Sequence, residues 1–420
     1  LRTDNRVFFN KINGENMHYP DSFSRITQVM KSSLIRELVA STKNIPDLIS
    51  FAGGFPSPAT FPTQQLAELF EEVIKNGGSD VLQYGASEGD ILLKKQLMQW
   101  EGYELKPEEM VITVGATNAI YYYARCLINP GDVILCEAPS FLGTLVTFDA
   151  IEADCQSVPI NDEGIIIEEL EEKVKILHQQ GKNIKFLYII PDFHNPAGIT
   201  YSLQRRKEII QFCIDNNIPI LEDNPYSRLR FYGEPVPTFY QVARTDFAST
   251  NIVTEIVSFS KILGPGLRIA YAKGDKELIE KMVSWQQKVT ITPDCVAERA
   301  VARFLEKGLM DNHLKYIAEY YRPYLQKMLD ELEKQMPPEV QWTKPEGGIF
   351  LWLTLPEYIN ADELFVEASQ YKVSFIPGSK FYPEGQEKFN TLRLNFTYST
   401  FEQIEKGIHS LAELLKEKIK

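Results

Sequence analysis

The sequence predicts an α/β protein built on a large, mostly parallel sheet, with a smaller α+β unit attached. Three observations carry that expectation. Short β-rich runs alternate with helical patterns through the middle of the 420 residues. From about residue 306 the texture changes to a long helical stretch followed by short strands. The composition, 44% hydrophobic and 24% charged, supplies one large core and a second, smaller one.

In chain order, MVITV (110–114) precedes the helical TNAIYYYARCLI, and DVILC (132–136) precedes a loop at EAPSF. FLYII (186–190) runs into PDFHNPAG and then a charged amphipathic segment at 203–216, followed by IPILE (218–222), IVTEIV (252–257) and RIAYA (268–272). Such sheets bind ligands just past the carboxyl ends of their strands. The later part reads as the helix YIAEYYRPYLQKMLDELEKQ, then EVQWTKPEGGIFLWLTL, a helix near 361–370, VSFIPG and TLRLNF. Near the start, Ile26, Met30, Leu34, Ile35 and Leu38 recur at helical spacing and are expected to pack on the smaller unit rather than on the large sheet. The expected division is 55–305 for the large domain, and 1–54 with 306–420 for the small one.

With 44 basic and 57 acidic side chains the net charge is -13, which disfavours nonspecific attraction to nucleic acid or anionic membrane. Cys126, Cys136, Cys155, Cys213 and Cys295 are scattered without a CxxC pair, and read as reduced thiols of a cytoplasmic protein. No apolar run approaches the roughly 18 to 20 residues of a membrane span, and the polar start LRTDNRVFFNK lacks a signal peptide's apolar segment. The missing initial Met leaves open what lies upstream of Leu1. There is no GxGxxG, GxxxxGK(S/T) or HExxH, and none of the five dispersed histidines is assigned to a metal.

The stretch SFSKILGPGLRIAY (258–271) sets Lys261 among serines, glycines and a proline, with Arg268 seven positions on. A lysine at a strand end is ordinarily a surface charge. This setting instead suits an amine whose basicity must fall so that it can attack a carbonyl and form a Schiff base. Ser258, Ser260 and Arg268 add donors for an anion such as phosphate. A Schiff-base lysine beside a phosphate cup points to pyridoxal phosphate. In VITVGATNAI, Gly115, Ala116 and Thr117 open a helix, whose free N–H groups and dipole also favour an anion. Other candidates each keep a plain structural reading beside the functional one: Asn195 as a turn residue, Asp223 as a cap, Phe141 as core, Arg393 as an exposed strand arginine, Arg36 as a surface charge.

The motif S-F-S-K-x-x-x-P-G-L-R resembles the cofactor-lysine motif of class I aminotransferases of fold type I, and the resemblance extends over roughly residues 25 to 415. It implies an aspartate aminotransferase-like fold with pyridoxal 5'-phosphate held as an imine on Lys261 and its phosphate at Gly115, Ala116, Thr117, Ser258, Ser260 and Arg268. It implies further that Asn195 and Tyr226 bond the cofactor's phenolic oxygen, Asp223 pairs with the pyridine nitrogen, and Phe141 stacks on the ring. Glu222 points to the opposite face from Asp223. In PDFHNPAG, Ala197 replaces the family's more usual Thr, and His194 stands where another polar residue is expected.

Tyr84 resembles a tyrosine that reaches the neighbouring subunit's phosphate, which implies a homodimer with shared active sites. Arg393, in NTLRLNF, would bind the substrate α-carboxylate. The N-terminal segment is similar to that of the 2-aminoadipate and kynurenine aminotransferase branch; there Ser33 and Arg36 would share a helix face over the substrate, and Gly53-Gly54 would let the chain pass close to it. Phe55 leaves room for an aromatic preference.

The function so implied is transfer of an amino group from an L-amino acid (2-aminoadipate, glutamate, aromatic or branched apolar) to a 2-oxo acid, 2-oxoglutarate, by a ping-pong mechanism within amino-acid biosynthesis. Two rivals stand beside it: a C–S β-lyase of the same fold, and the non-catalytic effector-binding domain of a transcriptional regulator. Such regulators carry a winged helix and a basic linker, and neither is found in these 420 residues.

Overall fold

The computed structural model describes residues 19–29, 45–102, 104–247 and 251–419. After a two-residue strand β1 (Ile49–Ser50), the chain lays down β2 (Met110–Val114), β3 (Val133–Ala138), β4 (Asp154–Asn161), β5 (Gly164–Ile165), β6 (Ile184–Ile189), β7 (Ile220–Asn224), β8 (Val253–Ser258) and β9 (Ile269–Lys273). These last eight form one sheet in the order β2-β9-β8-β7-β6-β3-β4-β5. The run from β8 to β4 is parallel, while β9 opposes both β8 and β2, and β5 folds back on β4.

Parallel strands covered by helices on both faces must be apolar or internally paired along their whole length. Every residue of β7 and β8 is buried, and their carboxylates are accounted for. Glu222 accepts the N–H groups of Phe239 and Tyr240, each at 3.0 Å, at the start of the helix Phe239–Asp246. Glu255 accepts from Asn224 Nδ2 at 2.8 Å and lies 3.0 Å from Lys273 Nζ, which is also 2.8 Å from Glu101. Strand alternation turns Asp223 to the opposite face from Glu222.

The helices Ala116–Leu127, Leu203–Asp215 and Ala361–Ala368 stand where the sequence places them, and the long one runs Leu309–Gln335 through Pro323. The expected strands are present: β2 coincides with MVITV, while β6 begins and β7 ends two residues away from the apolar runs that announce them. Strand β4, DCQSVPIN, is not foreseen, because Gln156, Ser157 and Pro159 break its apolar pattern; its hydrogen bonds to β3 decide the matter.

The remaining strands are β10 (Gln341–Trp342), β11 (Phe350–Thr354), β12 (Val373–Ser374), β13 (Ile376–Pro377) and β14 (Thr391–Asn395). An antiparallel sheet β10-β11-β14-β13 forms, and β1 pairs with β12 in parallel. The helix Phe401–Lys418 begins with a capping box between Thr400 and Gln403 and turns its apolar face inward.

The expectation that the N-terminal segment avoids the large sheet is corrected for its described part. Ile26, in the short helix Arg25–Val29, lies in a groove lined by Leu142 and Val146 of a large-sheet helix as well as by Tyr382, and Arg25 pairs with Glu152. Met30, Leu34, Ile35 and Leu38 lie outside the described residues. All five cysteines are free thiols, and no described helix is long and apolar enough to cross a membrane.

Candidate active site

Six strands, β2, β3, β4, β6, β7 and β8, end at one edge of the large sheet, and the reversed β9 begins there. Lys261 follows β8 in a single 3-10 turn, Phe259–Lys261, capped by Ser258, whose Oγ accepts the Ser260 N–H at 3.2 Å. Its Nζ donates to the Gly54 carbonyl at 2.8 Å. Burial first, then the guanidinium groups of Arg393 and Arg268, pull the ammonium down from 10.5 to about 8, against an opposing pull from Asp223.

An anion cup lies beside it. Gly115 follows β2 with φ 80° and opens the helix Ala116–Leu127 without any side-chain cap, whereas Asp90, Asp275 and Asp294 cap other helices. The first amides of that helix, at Ala116 and Thr117, are therefore left for an outside acceptor. The Arg268 guanidinium lies against Gly115 so closely that a Cβ there would stand 2.2 Å from Nη2. Arg268 Nη1 is 3.5 Å from Ser260 Oγ, which ties the cup to the lysine turn.

At the end of β7, Asp223 is 3% exposed. Its Oδ2 accepts from Tyr188 Oη at 2.8 Å, while Oδ1 has no partner among the described residues. Burial raises this carboxyl from 3.8 to about 7; the Tyr188 hydrogen bond works against that shift, and Glu137 adds to it. Tyr226, whose phenol is raised by burial, lies 3.4 Å from Asn195 Nδ2. His194 has a structural role here: its Nδ1 accepts the Ala197 N–H at 3.1 Å, which closes the Asn195 loop, while its Nε2 stands 3.1 Å from the buried Glu137 without a hydrogen bond.

The smaller sheet contributes Arg393, at the middle of β14 opposite Trp352 and Ile376. This side chain is 2% exposed, yet both its acceptors are neutral: Asn195 Oδ1 and the Ala52 carbonyl, each at 2.9 Å. Its Nε has no partner among the described residues, and burial lowers it to about 10. The guanidinium also faces the rings of Phe350, 4.1 Å away, and Phe381, 5.0 Å away. A buried cation supplied only with neutral acceptors is incomplete, and a carboxylate completes it. Gly54 lies alongside, where a Cβ would be 3.9 Å from Arg393 Nη2.

Lys261 thus meets Gly54, which lies beside Arg393; Arg393 meets Asn195 and Asn195 meets Tyr226, while Arg268 joins Gly115 to Ser260 in the lysine turn that Ser258 caps. Asp223 acts on this group through its charge on Lys261. Phe141 stands at the N-terminus of the helix Leu142–Asp149, next to Ser140, whose N–H donates to the Phe381 carbonyl at 2.7 Å. Tyr84 is not drawn in; its side chain is 77% exposed. Ser33 and Arg36 lie outside the described residues. Sequence reasoning missed Tyr188, Ala52, Phe350 and Phe381, which act through a ring in a core strand, a backbone carbonyl and packing. A tyrosine within the apolar run FLYII is the one available signal.

A family model described as "Aminotransferase class I and II" matches residues 47–411. The aromatic-amino-acid aminotransferase 1 of Thermococcus litoralis is 37% identical over 98% of this chain and 98% of its own. The 2-aminoadipate transaminase of Thermus thermophilus is 33% identical over 95% of this chain and 98% of its own. The crystal structure of Pyrococcus horikoshii kynurenine aminotransferase, in complex with PMP, superposes with a TM-score of 0.90 at 36% identity, covering 95% of this chain and 98% of that one.

Proposed function

The chain belongs to the class I and II aminotransferase family, and on that premise we propose that it moves the amino group of aromatic and 2-aminoadipate- or glutamate-like L-amino acids to a 2-oxo acid, 2-oxoglutarate. It is an aminotransferase that depends on pyridoxal phosphate. When bound, this group supplies a ring that accepts the electron pair released at the substrate Cα.

The residues fit it. The open Asp223 Oδ1 suits a protonated ring nitrogen, the uncapped helix at Gly115, Ala116 and Thr117 with Arg268 suits the phosphate, and the buried Lys261 amine suits the aldehyde. Asn195 and Tyr226 would meet the phenolic oxygen, with Phe141 against the ring. Arg393 would exchange its neutral acceptors for the substrate carboxylate and so orient the Cα–H toward Lys261. Lys261, as the free amine, would take the Cα proton and would return it to the carbon that was the cofactor's aldehyde.

The observation that carries this reading is the Lys261 amine, held 2.8 Å from Gly54 O and lowered to about 8 between two arginines and Asp223. The aromatic donors are supported by Phe55, about half exposed beside Gly54 and edge-on to the exposed Tyr398 at 6.2 Å. The names of the relatives supply the dicarboxylic class. Arg36 would read the distal carboxylate, with Ser33 on the same face.

We extend the reading to a homodimer with shared sites, for which the exposed Tyr84 is the support, and to a cytoplasmic role in amino-acid biosynthesis. The division into 55–305, and 1–54 with 306–420, is supported by the strands: the large sheet spans 110–273, and β1 pairs with β12. The test is a single-turnover absorbance assay with phenylalanine, kynurenine, 2-aminoadipate, glutamate and leucine. Conversion to the amine form of the cofactor is expected with all five, the branched apolar leucine included. With cystathionine, whose Cβ carries the sulfur leaving group that these donors lack, release of pyruvate and ammonia in place of that amine form would overturn the reading. Arg36→Ala should weaken only the dicarboxylic donors.

A further inference from the structure

Asp223 has two carboxylate oxygens in a place shielded from water, and among the described residues only Oδ2 has a partner. That partner is a phenol with a second contact of its own. Tyr188 Oη lies 2.8 Å from Asp223 Oδ2 and 2.9 Å from Thr144 Oγ1. Because the phenol gives its proton to the carboxylate, the Thr144 hydroxyl donates to the phenolic oxygen, and the three groups form one directed chain. The Tyr188 ring is itself held edge-on by Phe148 at 5.5 Å. Thr144 lies in the helix Leu142–Asp149, three residues after Phe141, so one helix start bears both the aromatic at the site and the far end of this chain.

We infer that Tyr188, buttressed by Thr144, is a positioning residue that clamps the Asp223 carboxylate by one oxygen and keeps the other free for the cofactor's ring nitrogen. A carboxylate fixed at Oδ2 has one orientation, whereas an unclamped buried carboxyl can rotate or take a proton itself. Besides Tyr188, the titratable groups that act on Asp223 are Glu137 and Lys261. Glu137 is occupied by the Ile190 N–H and the Tyr201 phenol, so it offers Asp223 charge without a hydrogen bond. The inference rests on the reading of Asp223 as the acid at the ring nitrogen.

Tyr188→Phe keeps the ring and its packing while removing one O–H. The expected result is that borohydride still fixes the cofactor on Lys261, while the Kd for pyridoxal phosphate rises by about 10- to 100-fold and kcat falls by a similar factor. KM for the amino acid, read at Arg393, should move by less than about twofold. In apo protein carrying 13C-labelled aspartate, the Asp223 carboxyl should titrate above its wild-type value of about 7, since the bond to its charged form is gone. Thr144→Val should act in the same direction by a smaller factor. In an Asp223→Asn background, Tyr188→Phe should change neither Kd nor kcat further. The inference is overturned if Tyr188→Phe leaves the apo titration and the Kd at wild-type values, or if its effect is equally large in both backgrounds. Asp223→Asn binding pyridoxal phosphate as tightly as wild type would remove the underlying reading and the clamp with it.

Discussion

The Lys261 amine donates to the Gly54 carbonyl across 2.8 Å, which joins the end of β8 to a double-glycine turn more than two hundred residues earlier in the chain. The carbonyl satisfies one N–H without neutralising any charge. Burial and the two arginines can therefore act on the amine unopposed except by Asp223. At pH 7 an amine titrating at about 8 is neutral in roughly one molecule in ten, against about one in three thousand at the ordinary 10.5. Capture of pyridoxal phosphate by apo protein, followed as yellow colour in stopped flow, should accelerate with pH through a midpoint near 8 and level off above it. A midpoint near 10.5 would sink the claim. The sign for stability follows: the fold prefers the neutral amine, so Lys261 destabilises apo protein below pH 8, and this penalty is relieved between 8 and 10.5.

Replacing Arg393 should separate binding of the α-carboxylate from binding of the cofactor. Two charge-assisted bonds, at about 1.5 to 3 kcal/mol each, are lost in Arg393→Ala, which predicts a fall of about two to four orders of magnitude in kcat/KM. Arg393→Lys should recover little, because an ammonium cannot donate in a planar fork. Equilibrium dialysis with pyridoxal phosphate should give Kd values within a few-fold of wild type for both variants. A lost cofactor would show instead that Arg393 supports the Asn195 loop.

Asp223→Asn should make the apo protein more stable and the holoenzyme useless. Burial lifts this carboxyl to about 7, so the fold prefers its protonated form; the penalty builds as pH rises from 3.8 to about 7 and stays at its full size above that. A shift from 3.8 to about 7 corresponds to up to about 4 kcal/mol, of which the unsatisfied amide of the new asparagine would take back about 1 to 3. Differential scanning calorimetry of apo samples should show a higher Tm for the variant at pH 8. The gap should narrow progressively from pH 7 downward and be gone below about pH 4, where the carboxyl is protonated in the unfolded chain as well. An equal gap at both ends of that range would refute the assignment.

Gly115→Ala should damage the anion cup more than the fold. The new methyl would meet the guanidinium of Arg268, the far end of a side chain that can swing away, so the clash is relieved by moving the cation. The strain of φ 80° adds about 1 to 2 kcal/mol. Circular dichroism should remain that of wild type, while affinity for pyridoxal phosphate drops at least about tenfold. Pyridoxal, which has no phosphate, should bind both proteins alike.

Much of this site was legible in the sequence because its chemistry is local: Lys261, Asp223 and Gly115 each sit within a few residues of a strand end that the apolar runs announce. The partnership of Asn195 with Arg393 spans 198 positions, and no local pattern ties the two. The clamp of Tyr188 on Asp223 is hidden for a different reason. Along β6 the tyrosine reads as one more apolar residue, and only sheet pairing brings its hydroxyl to the neighbouring strand's carboxylate. Strand β4 was missed because polar residues can be accommodated where β3 supplies the ladder. The homologous motifs indicated roles; the partners that make those roles workable came from packing.

The reversed strand β9 has a consequence for breathing motions of the protein. Since Val114 is the register partner of Ile269, Gly115 and Arg268 flank the last rung between the outermost strand and its neighbour. An anion gripped from both sides would act as a rivet on that rung. Deuterium uptake at the amides of Met110–Val114, slowed on loading with pyridoxal phosphate and restored by Arg268→Ala, would make the rim of the sheet a reporter of occupancy.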